Sequence, residues 1–196
     1  IHRVSWADIV KPSATVVSAE DGISTGIINI NGKLIIILDF EKIVSDINPD
    51  TGLKVSEVEA LGVRERNDIP ILIAEDSALL NALICDSLKK AGYCNVISCE
   101  NGKEAWNVIQ DCKAKDILDE HVKLVITDIE MPQMDGHHLL KLIREDSATE
   151  DIPVIIFSSL INDEMRRKGE ALGANVQLTK PEIGNLVREI DALVLS

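Results

Sequence analysis

Leu124-Val125-Ile126-Thr127-Asp128-Ile129-Glu130-Met131-Pro132 sets a run of apolar and β-branched residues directly against a carboxylate. The run has no polar alternation. Near-continuous aliphatics of this length fit a strand buried on both faces of a parallel sheet. The reading makes Lys123–Thr127 a strand and leaves Asp128 at its carboxyl end. Pro70–Ala74 and Pro153–Phe157 share the pattern, and Asn95–Ser98 and Asn175–Leu178 are shorter candidate strands. Longer amphipathic stretches alternate with them, predicting helices over Ala78–Ala91, Lys103–Cys112, Gly136–Arg144, Asp163–Leu172 and Glu182–Val194. In the first helix Leu79, Leu80, Leu83, Ile84 and Leu88 fall on one face. Strands alternating with helices build an α/β domain with a doubly wound parallel sheet.

In such a sheet, chemistry collects outside the carboxyl ends of the strands, near the point where the winding reverses. That rule selects few residues. Glu75 and Asp76 follow the first strand and Asp128 the third. Ser158 and Ser159 follow the fourth, and Thr179, Lys180 and Pro181 the fifth. Three carboxylates in one cleft repel one another, and a divalent cation is their natural neutraliser. Oxygen ligands with open positions suit Mg²⁺, which keeps waters and binds phosphate oxygens. Asp128 can then attack phosphorus as a covalent nucleophile. Lys180 and Mg²⁺ would hold the equatorial oxygens, and the Ser158 hydroxyl would bond the new phosphoryl group. Pro181 biases the backbone of Lys180 toward an extended form. Each residue also has a plain structural reading: Asp76 or Ser77 as a helix cap, the serine pair as a turn, Lys180 as a surface charge. Their coincidence at one end of successive strands favours the chemical reading.

Composition limits the alternatives. The net charge of −13 lies mostly in residues 68–196, with 23 acidic and 13 basic side chains. That balance argues against a nucleic-acid footprint, which needs a basic face. It is compatible with a divalent cation or a basic protein surface, while a solvated acidic surface accounts for most of it. No stretch approaches the roughly 18 apolar residues of a membrane span, and no signal peptide is visible. The chain begins at Ile1 and reads as a fragment of a cytoplasmic protein. Cys85, Cys94, Cys99 and Cys112 form no CxxC pair, and His121, His137 and His138 are not at ligand spacing to them. Reduced thiols without zinc are expected.

Ahead of Asn67 the pattern differs. Asn31-Gly32 stands between Ile27–Ile30 and Leu34–Leu38, a strong hairpin signal. Asp39 can cap a short helix reaching Val44. Residues 45–67 are polar, carry Pro49, Gly52 and Gly62, and read as a connection with a helix around Val55–Leu61. The division expected is a partial β segment over 1–48, a linker over 49–67 and an α/β domain over 68–196. A hairpin alone is marginal in water, which leaves disorder, packing against the second part or self-association through its apolar strands, with self-association favoured.

The second part resembles the receiver domains of bacterial two-component response regulators, typified by CheY. The matching residues are Ile71-Leu72-Ile73-Ala74-Glu75-Asp76-Ser77, Leu124 through Pro132, Asp135-Gly136, Pro153-Val154-Ile155-Ile156-Phe157-Ser158-Ser159, Gly173-Ala174 and Lys180-Pro181. The resemblance implies a flavodoxin-like sheet in the order 2-1-3-4-5. It also implies Asp128 as phosphoacceptor, with Mg²⁺ held by Asp76, Asp128, the backbone carbonyl of Glu130 and, through water, Glu75. Ser158 would be the hydroxyl switch and Lys180 the cation on the phosphoryl group. The first segment, from Thr25 through Asp39 and the helix after it, resembles the last hairpin and terminal helix of a CheW-like coupling domain.

A coupling domain fused to a receiver resembles the CheV-like chemotaxis proteins. That resemblance implies a scaffold or adaptor, not an enzyme. Its partners would be a CheA-like histidine kinase and, through the coupling domain, chemoreceptors, without nucleic acid or membrane insertion. Two positions depart from the receiver pattern. Gln177 stands where an aromatic residue is usual, three residues before Lys180, and Glu130 puts a charge near the acceptor. Two alternatives remain. A Mg²⁺-dependent phosphatase-like hydrolase of the haloacid-dehalogenase type would want a second Asp where Glu130 stands, and a lid-sized insertion. A degenerate receiver acting only as a docking module would not need the full Glu75, Asp76, Asp128 and Lys180 set.

Overall fold

The structure is a computed structural model; it describes residues 9–10, 24–30, 32–38, 43, 58, 62, 64–159, 161–180 and 182–195. The chain forms two compact units, Ile1–Gly52 and Leu53–Ser196.

In the first unit β1 (Ser24–Ile30) pairs antiparallel with β2 (Lys33–Leu38). Gly32 takes φ +78° at the turn, where a side chain would be strained, and its N–H donates to Asn29 Oδ1 at 2.9 Å. The hairpin expected from Asn31-Gly32 is therefore present, although Asn31 itself lies outside the described residues. A bridge from Val10 to Ile27 adds extended chain on the far side of β1, which the sequence reading did not anticipate. The helix expected after Asp39 falls outside the described residues except for Ile43, and that around Val55–Leu61 except for Val58; both single residues are helical.

The second unit carries a five-stranded sheet in the order β4-β3-β5-β6-β7, parallel throughout. The strands are β3 (Ile71–Ala74), β4 (Val96–Cys99), β5 (Leu124–Thr127), β6 (Val154–Ser158) and β7 (Val176–Thr179). Counted within the unit this is the expected order 2-1-3-4-5. The helices are α1 (Ala78–Lys90), α2 (Gly102–Ala114), α3 (Leu118–His121), α4 (Gly136–Glu145), α5 (Asp163–Ala171) and α6 (Ile183–Val194).

Alternation along the strands divides the core between the two faces of the sheet. Ile71, Ile73, Leu124, Ile126, Ile155 and Phe157 pack with Ile84 and Leu88 of α1 and Ile183, Leu186, Val187 and Ile190 of α6. Leu72, Ala74, Val125, Val154 and Ile156 pack with Ala105 and Ile109 of α2 and Leu139, Leu140 and Ile143 of α4. Every residue of β3 and β5 is buried, as aliphatic strands covered on both faces must be.

Helix starts are set at the carboxyl edge of the sheet by side-chain caps. Ser77 accepts from the Leu80 N–H, Asn101 from Glu104, Asp135 from His138 and Asn162 from Met165. Each such cap is worth about 1 kcal/mol. Caps and strand ends therefore converge on one rim, and that rim carries the site.

Candidate phosphoryl-acceptor site

Parallel register builds the site. Ala74 pairs with Thr127, and one residue later the Asp128 N–H donates to the Ala74 carbonyl at 2.9 Å. On the other side of β3 the Glu75 N–H donates to the Cys99 carbonyl at 3.0 Å. Glu75 and Asp128 thus leave the sheet from adjacent strands at the same edge. Carboxylate oxygens of Glu75, Asp76 and Asp128 lie within 4.8 Å of one another.

The fourth member arrives from β7. The Lys180 N–H donates to the Ser158 carbonyl at 3.0 Å. Its Nζ donates to Glu75 Oε2 at 2.7 Å and to Asp128 Oδ2 at 2.9 Å. Lys180, Glu75 and Asp128 are all buried. Asp128 Oδ1 accepts from the Ile129 N–H at 2.6 Å, so both carboxylate oxygens of Asp128 have fixed donors. Ser158 is the buried last residue of β6 on the same edge. Ser159, next to it, is exposed. Glu130 lies in the loop after β5 with an exposed side chain. The structure therefore brings Glu75, Asp76, Asp128 and Lys180 together, with Ser158 joined to Lys180 through the backbone. Pro181 lies outside the described residues.

Burial and the lysine compete over Glu75. Loss of solvent pushes its carboxyl up to about 8, Lys180 pulls against that rise, and Asp128 and Asp76 add to it. Lys180 is thus the resident counter-charge of this acidic cleft. The sequence reading gave it only to a phosphoryl group.

The donor set fits a small hard cation. Three carboxylates with only oxygen to offer, on a rim where Asp76 is partly exposed, are the ligands that Mg²⁺ or a similar divalent ion takes. Soft-metal ligands are not among the three.

Several supporting residues were not legible as such in the sequence. Asn81 of α1 donates from Nδ2 to the Glu75 carbonyl at 3.2 Å and accepts from Ser98 Oγ at 2.7 Å, which fixes the loop carrying the acids. Thr127 Oγ1 donates to the Asp128 carbonyl at 2.9 Å. Gly136 opens α4 so closely under that carbonyl that a Cβ there would sit 2.0 Å from the Asp128 oxygen. The Asp135-Gly136 pair was visible as a motif, but not this contact. Gln177 lies over Gly169 of α5, and its Nε2 donates to the Arg166 carbonyl at 2.9 Å. The carboxamide thus tethers α5 to β7 where an aromatic ring was missing from the pattern.

The family model of the response regulator receiver domain matches residues 71–191, from the first strand of the sheet into the last helix. The chain belongs to this family. Its receiver is homologous to those of CheY and CheV chemotaxis proteins. Chemotaxis protein CheV3 of Helicobacter pylori is 30% identical over 201 residues, which covers 99% of this chain and 62% of CheV3. The chain thus spans less than two thirds of that relative's length. Chemotaxis protein CheY1 of Helicobacter pylori is 30% identical over 125 residues, covering 64% of this chain and 95% of CheY1. Among solved structures, the receiver domain of the Francisella response regulator 1452 matches with a TM-score of 0.55 at 28% identity. That match covers 64% of this chain and 96% of the other. Among the described residues, no helix is long and apolar enough to cross a membrane.

Proposed function

We propose that the receiver accepts a phosphoryl group on Asp128 from a histidine kinase of the CheA type, as part of a CheV-like chemotaxis adaptor. The observation that carries this reading is the buried Lys180–Asp128 contact at 2.9 Å beside the Glu75, Asp76 and Asp128 cluster. A carboxylate held by an ammonium, at the end of a central strand, is placed to become a mixed anhydride and to have the added charge balanced. An oxygen of Asp128 forms the new bond to phosphorus, while the bond from phosphorus to the donor atom breaks and the donor leaves with the electron pair. In this reading Lys180 keeps an Nζ donor on the added oxygens, and the hydroxyl of Ser158, the last residue of β6 on the same rim, bonds one of them. Asp76, Asp128 and the Glu130 carbonyl, with Glu75 through water, would hold Mg²⁺, which when bound supplies positive charge for the phosphoryl oxygens.

The match along 99% of the chain to CheV3 supports a coupling segment ahead of the receiver, and the described hairpin fits its end. In this reading residues 1–48 close a CheW-like domain that docks on chemoreceptors, 49–67 connect, and 68–196 form the receiver. The protein is then a cytoplasmic signalling module and not an enzyme acting on a separate substrate.

The test is incubation with acetyl phosphate and Mg²⁺, read by intact mass. One phosphoryl group is expected on the wild type and none on Asp128→Asn. Asp76→Ala should weaken Mg²⁺ binding by at least the about tenfold that removing an outer-shell partner costs. Mass addition that survives Asp128→Asn removes the assignment.

A further inference from the structure

The chain entering β3 is tied to the last helix by a cluster that neither the acceptor chemistry nor the 71–191 family match includes in full. Arg64 Nη1 donates to Asp191 Oδ2 at 2.7 Å, and Nη2 donates to Oδ1. The Tyr93 hydroxyl donates to the same Oδ1 at 2.5 Å. The guanidinium carbon stands 5.9 Å from the centroid of the Tyr93 ring, and Tyr93 is fully buried. Backbone bonds seat the rest of the strap: the Asn67 N–H donates to the Gly92 carbonyl at 2.7 Å and the Cys94 N–H to the Asn67 carbonyl at 3.0 Å. Residues 64–67 are therefore fastened to the receiver before the sheet begins.

Asp191 follows Ile190 on α6, and α6 begins three residues after Lys180. The helix is a rod of about 18 Å. Ile183, Leu186, Val187 and Ile190 are fully buried along its inner face, so close packing lets it shift only as a body. Lys180 touches the acceptor site at one end, and Asp191 grips Arg64 near the other.

We propose that the Arg64–Asp191–Tyr93 cluster is a latch on α6 that occupancy of the Asp128 site releases; this rests on Asp128 being the acceptor. A tetrahedral anion on Asp128 competes with Glu75 for the donors of Lys180 and draws the start of α6 toward the site. A forked, two-bond arginine–carboxylate contact has narrow geometry, and a shift of the helix loosens it. What loosens is the attachment of the chain that leads to the first unit. Coupling of this kind is reciprocal, so opening the latch by mutation must favour the occupied site.

The probe is beryllofluoride, a tetrahedral phosphoryl mimic, with Mg²⁺ and the full 196-residue chain, read by calorimetry. Arg64→Gln should bind it about fivefold tighter than wild type. Tyr93→Phe keeps the ion pair and loses one bond, so a smaller gain in the same direction is expected. Amide exchange of residues 64–67 in the wild type should quicken when the mimic binds. Equal or weaker affinity in both variants, or unchanged exchange at 64–67 with the mimic bound, overturns the latch while leaving the acceptor site intact. If the wild type binds no mimic at all, the acceptor reading fails, and the latch falls with it.

Discussion

The Nζ of Lys180 lies 2.9 Å from Asp128 Oδ2, although 52 positions separate the two residues in the chain. The same ammonium lies 2.7 Å from Glu75 Oε2. One buried ammonium therefore bonds two buried carboxyl groups, and the acidic cleft is not wholly dependent on a metal for its balance.

Removing that cation should cost stability before it costs binding. Lys180→Ala leaves the buried Asp128 carboxylate without its ammonium and removes the pull that opposes the rise of Glu75, and breaking a buried pair by deleting one partner costs about 3–5 kcal/mol. The variant should melt well below wild type without metal, and Mg²⁺ should raise its melting temperature more than it raises that of wild type. Thermal scans with and without Mg²⁺ read this directly. An unchanged metal-free melting temperature would show that Lys180 is not the counter-charge.

Gly136→Ala tests the support beneath Asp128, the proposed acceptor. The added Cβ would meet the Asp128 carbonyl oxygen at 2.0 Å, and that atom is backbone that cannot turn aside. Overpacking of this kind costs about 1–3 kcal/mol, and relief requires α4 or the acceptor loop to move. Phosphoryl uptake from a small donor should fall in the folded variant along with stability. A variant that takes up phosphoryl at the wild-type rate would mean that the loop carrying Asp128 relaxes freely.

The sheet was legible because β3, β5 and β6 are short aliphatic runs and the edge strands β4 and β7 fall between amphipathic stretches, and each was located to within a residue at either end. The rim followed, because the ends of such strands gather Glu75, Asp76, Asp128, Ser158 and Lys180 whatever the details of packing. Contacts that depend on distance in space were not legible. Arg144 donates to the carbonyls of Gly173, Glu150 and Ile152, and nothing local to Arg144 announces it. The Arg64–Asp191 pair spans 127 positions. The short helix α3 was missed because Leu118–His121 is a single turn without a side-chain cap, too brief for any periodicity.

His137 should make the fold acid-sensitive. It is buried at the start of α4, and its Nε2 has no hydrogen-bond partner among the described residues. Burial pushes the imidazole below its ordinary 6.5, and Lys168 adds to the fall, against smaller opposing pulls from Asp135 and the Met165 backbone. As pH drops through about 6.5 the unfolded chain takes a proton that the folded state refuses. The contribution is therefore fully present above that value and is lost as pH falls toward the folded value. Denaturant midpoints measured from about pH 7.5 to 5.5 should decline in wild type and decline less in His137→Phe. Parallel curves for the two proteins would assign the acid sensitivity elsewhere.

The hairpin of the first unit should associate. Leu34, Ile36 and Leu38 alternate on one face of β2 and are 65%, 51% and 57% exposed, with Ile35 exposed on the other face. Lys33, at the turn, is the only charge in the strand, and among the described residues β2 pairs only with β1. An apolar strand with an open edge offers backbone donors and acceptors to another copy, and its side chains gain by leaving water. At about 25 cal/mol per Å² of apolar surface removed from water, a few hundred Å² covered on each copy amounts to several kcal/mol. Light scattering across concentration should show the 196-residue chain forming dimers or larger species in the micromolar range. Ile36→Lys puts a charge in the centre of the exposed face and should return it to monomer. If the chain stays monomeric at several hundred micromolar, β2 is covered within the same molecule.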